Sequence, residues 1–122
     1  MMERRIINYM VLGMIVFSSC YYDNVETLYP VGDCTTVNMS YVSDINPILQ
    51  QNCFNCHDAD ANNGNVTLEG YNQLMPHITN GRLLKAIKHE SGVSPMPQNT
   101  TALSTCDISK IEQWILQGSQ NN

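Results

Sequence analysis

The residues most able to do chemistry in this chain are five in a row, Cys53-Phe54-Asn55-Cys56-His57. Cys-x-x-Cys-His is the attachment sequence of c-type haem. Each thiol can add across a haem vinyl group to form a thioether, and two intervening residues let both sulfurs reach adjacent ring edges from one turn of chain. His57 follows directly and is thereby aimed at the iron as its proximal ligand. Two other chemistries use the same pair of cysteines. A redox dithiol needs a βαβ setting, and no strand pattern is visible. A zinc site needs further ligands, which would have to come from Cys34, Cys106 or distant histidines that show no paired spacing.

A sixth iron ligand is expected from Met96, within Val93-Ser94-Pro95-Met96-Pro97-Gln98. Prolines on both sides restrict the backbone and can hold the thioether toward the ring. Thioether sulfur favours ferrous iron, so Met/His ligation raises the reduction potential. Met96 can also simply fill space beside the cofactor. His89 and His77 would give bis-histidine ligation instead, although His89, near a helix end, reads more plainly as a solvated or carbonyl-bound ring. Met75 lies on an apolar helical stripe and reads as core.

The elements that must position these groups are helical. Ile45, Ile48, Leu49 and Cys53 share one face of a helix expected from Ser43, as N-cap, to Cys53. Pro47 is tolerable in its first turn. Asp58 to Asn65 is a polar loop, and Val66 to Leu68 is too short to assign. Tyr71, Leu74, Met75 and Ile78 form a second stripe, ended by Asn80 and Gly81. Leu83, Leu84 and Ile87 suggest a third helix, stopped near Gly92. Pro95 and Pro97 exclude a regular helix around Met96. The last helix has the clearest start: Ser104 and Asp107 as a capping box, with Leu103 and Ile108 as a hydrophobic staple. Ile108, Ile111 and Ile115 continue its apolar face beside Trp114, and Gly118 supplies the stop.

The chain has 122 residues, 43% hydrophobic and 14% charged, with a formal net charge of −5. That is one domain's worth of globular composition, and without a basic cluster nucleic acid is not an expected partner. Residues 1–19 read as an export leader: Arg4 and Arg5, then an apolar run from Ile6 to Phe17, shorter than the roughly 20 residues a membrane span needs. Phe17-Ser18-Ser19-Cys20 resembles a bacterial lipobox, which implies cleavage before Cys20 and a lipid on its sulfur; the alternative is an ordinary secretory signal. Cleavage removes Glu3, Arg4 and Arg5, so six basic residues become four and eleven acidic become ten, a charge of −6. An acidic surface favours a basic partner, or simply solubility. Of five cysteines, Cys20 is assigned to lipid and Cys53 and Cys56 to the attachment motif. Cys34 and Cys106 remain, and in an oxidising compartment an even remainder pairs. Such a bond closes a loop of about 70 residues and stabilises by roughly 3–4 kcal/mol. Residues 20–40, with Pro30 and Gly32, read as a tether, and residues 41–118 as the folded domain.

Ser43-Asp44-Ile45-Asn46-Pro47-Ile48-Leu49 followed by Cys53 to His57 resembles the opening of a class I cytochrome c-like domain. Met96-Pro97 and the Ile108–Gly118 helix with Trp114-Ile115 are similar to its closing half. The resemblance is to mono-haem cytochrome c-type lipoproteins of the Bacteroidetes and covers residues 41–118. It implies an all-α, cytochrome c-like bundle of about four short helices around one haem c per chain, with Ile45, Ile48 and Leu49 packed on Ile111, Trp114 and Ile115. It also implies Cys53 and Cys56 on the vinyl groups, His57 on the proximal side and Met96 on the distal side. Gln98 departs from a second proline found there in many relatives. The implied role is one-electron transfer between redox partner proteins. The setting is the cell envelope: a bacterial membrane holds the lipid at Cys20, and the domain faces the periplasm or the exterior. A haem sensor with five-coordinate iron and a non-haem thiol or metal site are the competing readings. No carboxylate pair, serine triad or P-loop suggests an enzyme.

Overall fold

The computed structural model describes residues 34–122. The expected leader (1–19), the expected lipid site at Cys20 and the part of the expected tether before Cys34 lie outside the described residues. Five α-helices and two short irregular turns of helix make up the rest, with no strand among the described residues. They are α1 (Asn46–Asn52), α2 (Phe54–His57), α3 (Tyr71–Thr79), α4 (Arg82–Ile87) and α5 (Thr105–Leu116). A π-helical turn, Tyr41–Ile45, leads into α1. A 3-10 turn, Asn63–Asn65, lies in the polar loop after α2.

The first helical segment starts earlier than Ser43. Ser40 is the cap: its Oγ accepts from the Ser43 amide at 3.2 Å, while its own amide donates to Asp44 Oδ2 at 2.9 Å. These are the reciprocal bonds of a capping box, with the acid displaced by one residue because the π turn is wider. The segment breaks at Cys53, whose ψ of −40° accompanies a φ of −124°, and resumes as α2. Ser104 caps α5 where expected, its Oγ accepting from the Asp107 amide at 3.0 Å. The Ser104 hydroxyl in turn donates to Asp107 Oδ2 at 2.8 Å. Aspartate is one methylene shorter than the glutamate of a full capping box, and bonds the side chain in place of the cap's own amide.

The core is one cluster. Trp114, Ile45, Leu49, Leu74, Ile87 and Ile111 are fully buried within it, and each such side chain contributes about 1.5–3 kcal/mol on leaving water. Helix α5 packs against the π turn and against α4, and α3 packs against α4. The first segment therefore meets α5 through its opening turn, Tyr41–Ile45. Ile48 and Leu49 join the same core, and Ile115 is packed on it half-buried.

The folded unit is wider than residues 41–118: it runs from Cys34 to Asn122. Residues 34–40 are not a free tether. Cys34 is joined to Cys106 by a disulfide, with Cα atoms 5.6 Å apart, and Met39 is buried. The C-terminal residues are sewn to the same place. Val42 N donates to Asn122 O at 3.0 Å, Tyr41 N to Asn122 Oδ1 at 3.0 Å, and Met39 N to Gln117 Oε1 at 2.9 Å. Tyr41, Tyr71 and Trp114 form a ring cluster beneath, with centroids 5.4 to 6.4 Å apart. Trp114 Nε1 donates to Gln120 O and Tyr71 OH to Ser119 O. Backbone pairing of this kind carries no side-chain periodicity, so the pattern-based boundaries stop short of it. No described helix is long and apolar enough to cross a membrane.

Candidate functional site

Cys53, Cys56 and His57 occupy one tight turn. The amides of Cys56 and His57 both donate to Cys53 O, at 3.1 and 3.0 Å. Helical spacing of three puts the two cysteines on the same side. Cys53 is half-buried and Cys56 exposed, and both are free thiols. Burial pushes the Cys53 thiol up to about 11. It is therefore protonated at neutral pH, opposite to the lowered pKa of an activated redox dithiol.

His57 is clamped by residues 66–68. Its Nδ1 lies 3.1 Å from Val66 O, and the Leu68 amide donates to His57 O at 2.8 Å. A carbonyl only accepts, so Nδ1 carries the proton and, in the neutral ring, Nε2 keeps the free lone pair. Metal-ligating histidines are commonly held in this way by their second nitrogen. The short segment from Val66 to Leu68 thus has a role that its side chains do not advertise, because the atom that matters at Val66 is a backbone oxygen.

A cavity of about 370 Å³ opens beside this turn, within the size range of small-molecule and cofactor sites. Cys53, Cys56 and His57 line it, and so does Met96 with its neighbours Pro97 and Gln98. Leu68, Leu83, Ile87 and Leu103 supply apolar walls. The structure thus brings Cys53, Cys56, His57 and Met96 to one cavity.

The other expected ligands divide. Met75 is packed against the core and does not line the cavity. His77 does line it, alongside Arg82. Burial, then the charges of Arg82 and His57, hold the His77 pKa below its ordinary value. His89 is not in the lining. Its Nε2 is 3.1 Å from Met96 O, the carbonyl-bound state that its sequence position suggests. Helix α4 also stops sooner than Gly92, at Ile87, because His89 itself adopts the left-handed conformation, with φ 57°.

The chemistry of the donor set suits haem. Two thiols i, i+3 apart, the His57 imidazole with a free Nε2, the His77 imidazole and the Met96 thioether border a space with mainly apolar walls. Among the described residues no group of three or more His, Cys, Asp or Glu is gathered as a metal site. Cys34 and Cys106, the extra thiols a zinc site would need, are bonded to each other. Comparison of the chain with protein-family models, with curated proteins and with solved structures gives no match.

Proposed function

We propose that this chain is a one-electron carrier with a single covalently attached haem c in a cytochrome c-like helical domain. The observation that carries the reading is that Cys53, Cys56, His57 and Met96 line one cavity, with the His57 Nδ1 proton committed to Val66 O. In this reading Cys53 and Cys56 form the two thioethers, His57 Nε2 is the proximal ligand and Met96 the distal one. Haem held there supplies a one-electron iron couple. The chain's own residues do the rest. The Val66 carbonyl orients the imidazole and raises its basicity. A Met96 thioether on the iron would favour the reduced state and would leave little room for peroxidase chemistry. Leu68, Leu83 and Ile87 keep water from the ring faces. No group on these walls needs to act on a substrate, so the role is electron transfer to and from redox partner proteins.

The reading extends to a lipid anchor at Cys20 in a bacterial envelope membrane, with the domain facing the periplasm or the exterior. A Cys34–Cys106 disulfide suits that oxidising location.

The test is a pyridine haemochrome assay with mass spectrometry on the matured protein. Expected are one haem adduct on Cys53 and Cys56, a lipid adduct on Cys20, and a low-spin ferric spectrum. High-spin iron that binds carbon monoxide readily would replace the carrier by a haem-based sensor. A polypeptide without Soret absorption or haem mass would leave a thiol or metal site.

A further inference from the structure

Helix α4 ends in a Schellman motif built on an unusual residue. The His89 amide donates to Ala86 O at 3.1 Å and the Glu90 amide to Lys85 O at 2.9 Å, the paired bonds of that motif. The position between them needs a left-handed backbone and is ordinarily glycine. Here it is histidine, at φ 57°, which carries the steric cost of a side chain in that region. Strain retained in this way points to a task for the side chain.

That side chain reaches Met96. His89 Nε2 donates to Met96 O at 3.1 Å, and the Met96 amide donates to Ala86 O at 3.0 Å. Both backbone polar groups of Met96 are thus tied to the last turn of α4. Ala86 O receives the amides of His89 and Met96 together, so the helix end and the ligand segment share an acceptor. No other described side chain bonds the Met96 backbone.

We propose that His89 is a positioning residue that latches the Met96 segment to α4 and so holds the thioether at its station. As a claim about iron ligation this rests on the haem reading above; as a claim about the Met96 backbone it does not.

Three variants of the matured full-length protein test it. His89→Gly removes the side chain and the steric cost. His89→Asn tolerates the left-handed backbone but ends one bond short of His Nε2. His89→Gln places an amide donor at the same number of bonds from Cα. The readouts are the far-red ferric band of thioether-ligated haem, the rate at which added imidazole displaces Met96, and hydrogen exchange at the Met96 amide. Covalent haem and helix content are expected unchanged in all three. In the Gly and Asn variants, displacement and Met96 exchange are expected to quicken about fivefold, the size of one ordinary hydrogen bond. The Gln variant is expected to return toward the parent. Parental rates in the Gly and Asn variants, or a Gln variant no better than Gly, would overturn the latch. If the parent carries no haem, the carrier reading falls and the latch stands or falls on Met96 exchange alone.

Discussion

Helices α4 and α5 terminate with the same pair of hydrogen bonds, yet one uses His89 at the left-handed position and the other Gly118. In α5 the Gly118 amide donates to Ile115 O at 3.0 Å and the Ser119 amide to Trp114 O at 2.9 Å, with Gly118 at φ 97°. That end turns the chain so that residues 119–122 can cover the Tyr41, Tyr71 and Trp114 rings and bond to residues 40–42. No buried side-chain polar atom there lacks a partner, and the conformation is met by the residue that suffers least in it. At α4 the same turn is met by a residue that suffers more, and its ring is spent on the backbone of Met96. One end of the molecule is arranged for its own stability. The other presents thiols, imidazoles and a thioether to a cavity, which in the haem reading the cofactor would fill.

This contrast can be broken in order of size. Replacing both Cys53 and Cys56 by Ala is expected to cost most, because about 90 residues bury a marginal core and, in the haem reading, the cavity then has no covalently held occupant. The expected result is a broad, weakly cooperative thermal transition with lost near-UV dichroism. A sharp transition with parental near-UV dichroism would show that the site end needs nothing to complete it. Removing the disulfide as a Cys34→Ala and Cys106→Ala pair acts at the start of α5. With the cysteines 72 positions apart, unfolding in denaturant is expected to show a loss of about 4 kcal/mol. Next comes the helix-end comparison itself. Gly118→Ala is expected to lower stability by about 1–2 kcal/mol, the cost of a Cβ at positive φ. His89→Gly relieves the same cost while losing one bond, so its global stability is expected to change by less than about 0.5 kcal/mol. Equal losses in the two variants, read from denaturant midpoints, would erase the distinction drawn between the ends.

The smallest effect is pH dependence at the cavity. Burial, Arg82 and His57 hold the folded His77 pKa below 6.5. As pH falls through that value the unfolded chain takes up a proton that the folded chain resists, so stability declines below about pH 6.5 and is flat above it. His77→Gln is expected to flatten that slope in thermal melts; an unchanged slope would assign it elsewhere.

Local signals in the sequence go far here. Helical spacing of Ile45, Ile48 and Leu49 and of Ile108, Ile111 and Ile115 identifies segments that the structure shows as helix. Ser104 marks the start of α5 and Gly118 its end, because caps are set by bonds within four or five residues. The same logic fails where two candidates compete. Ser43 and Ser40 are both plausible caps, and only Asp44 bonding back to Ser40 N decides between them. Gly92 and His89 both stand past α4. Glycine is the better prior, yet the left-handed position at the end of α4 is His89, whose ring bonds Met96 O.

By itself the sequence determined which side chains stand out as candidate ligands: two thiols and an imidazole within five residues, and a thioether some forty residues on. Covalent chemistry and helical period are properties of neighbouring residues, so they are written locally. Only the tertiary structure decided that Val66 O would hold His57, that His89 would hold Met96, and that Asn122 would close over Tyr41. Each of these bonds uses a backbone group, which every residue but proline carries as donor and acceptor alike. Residue identity therefore says nothing about which one will be chosen until packing brings the partners together.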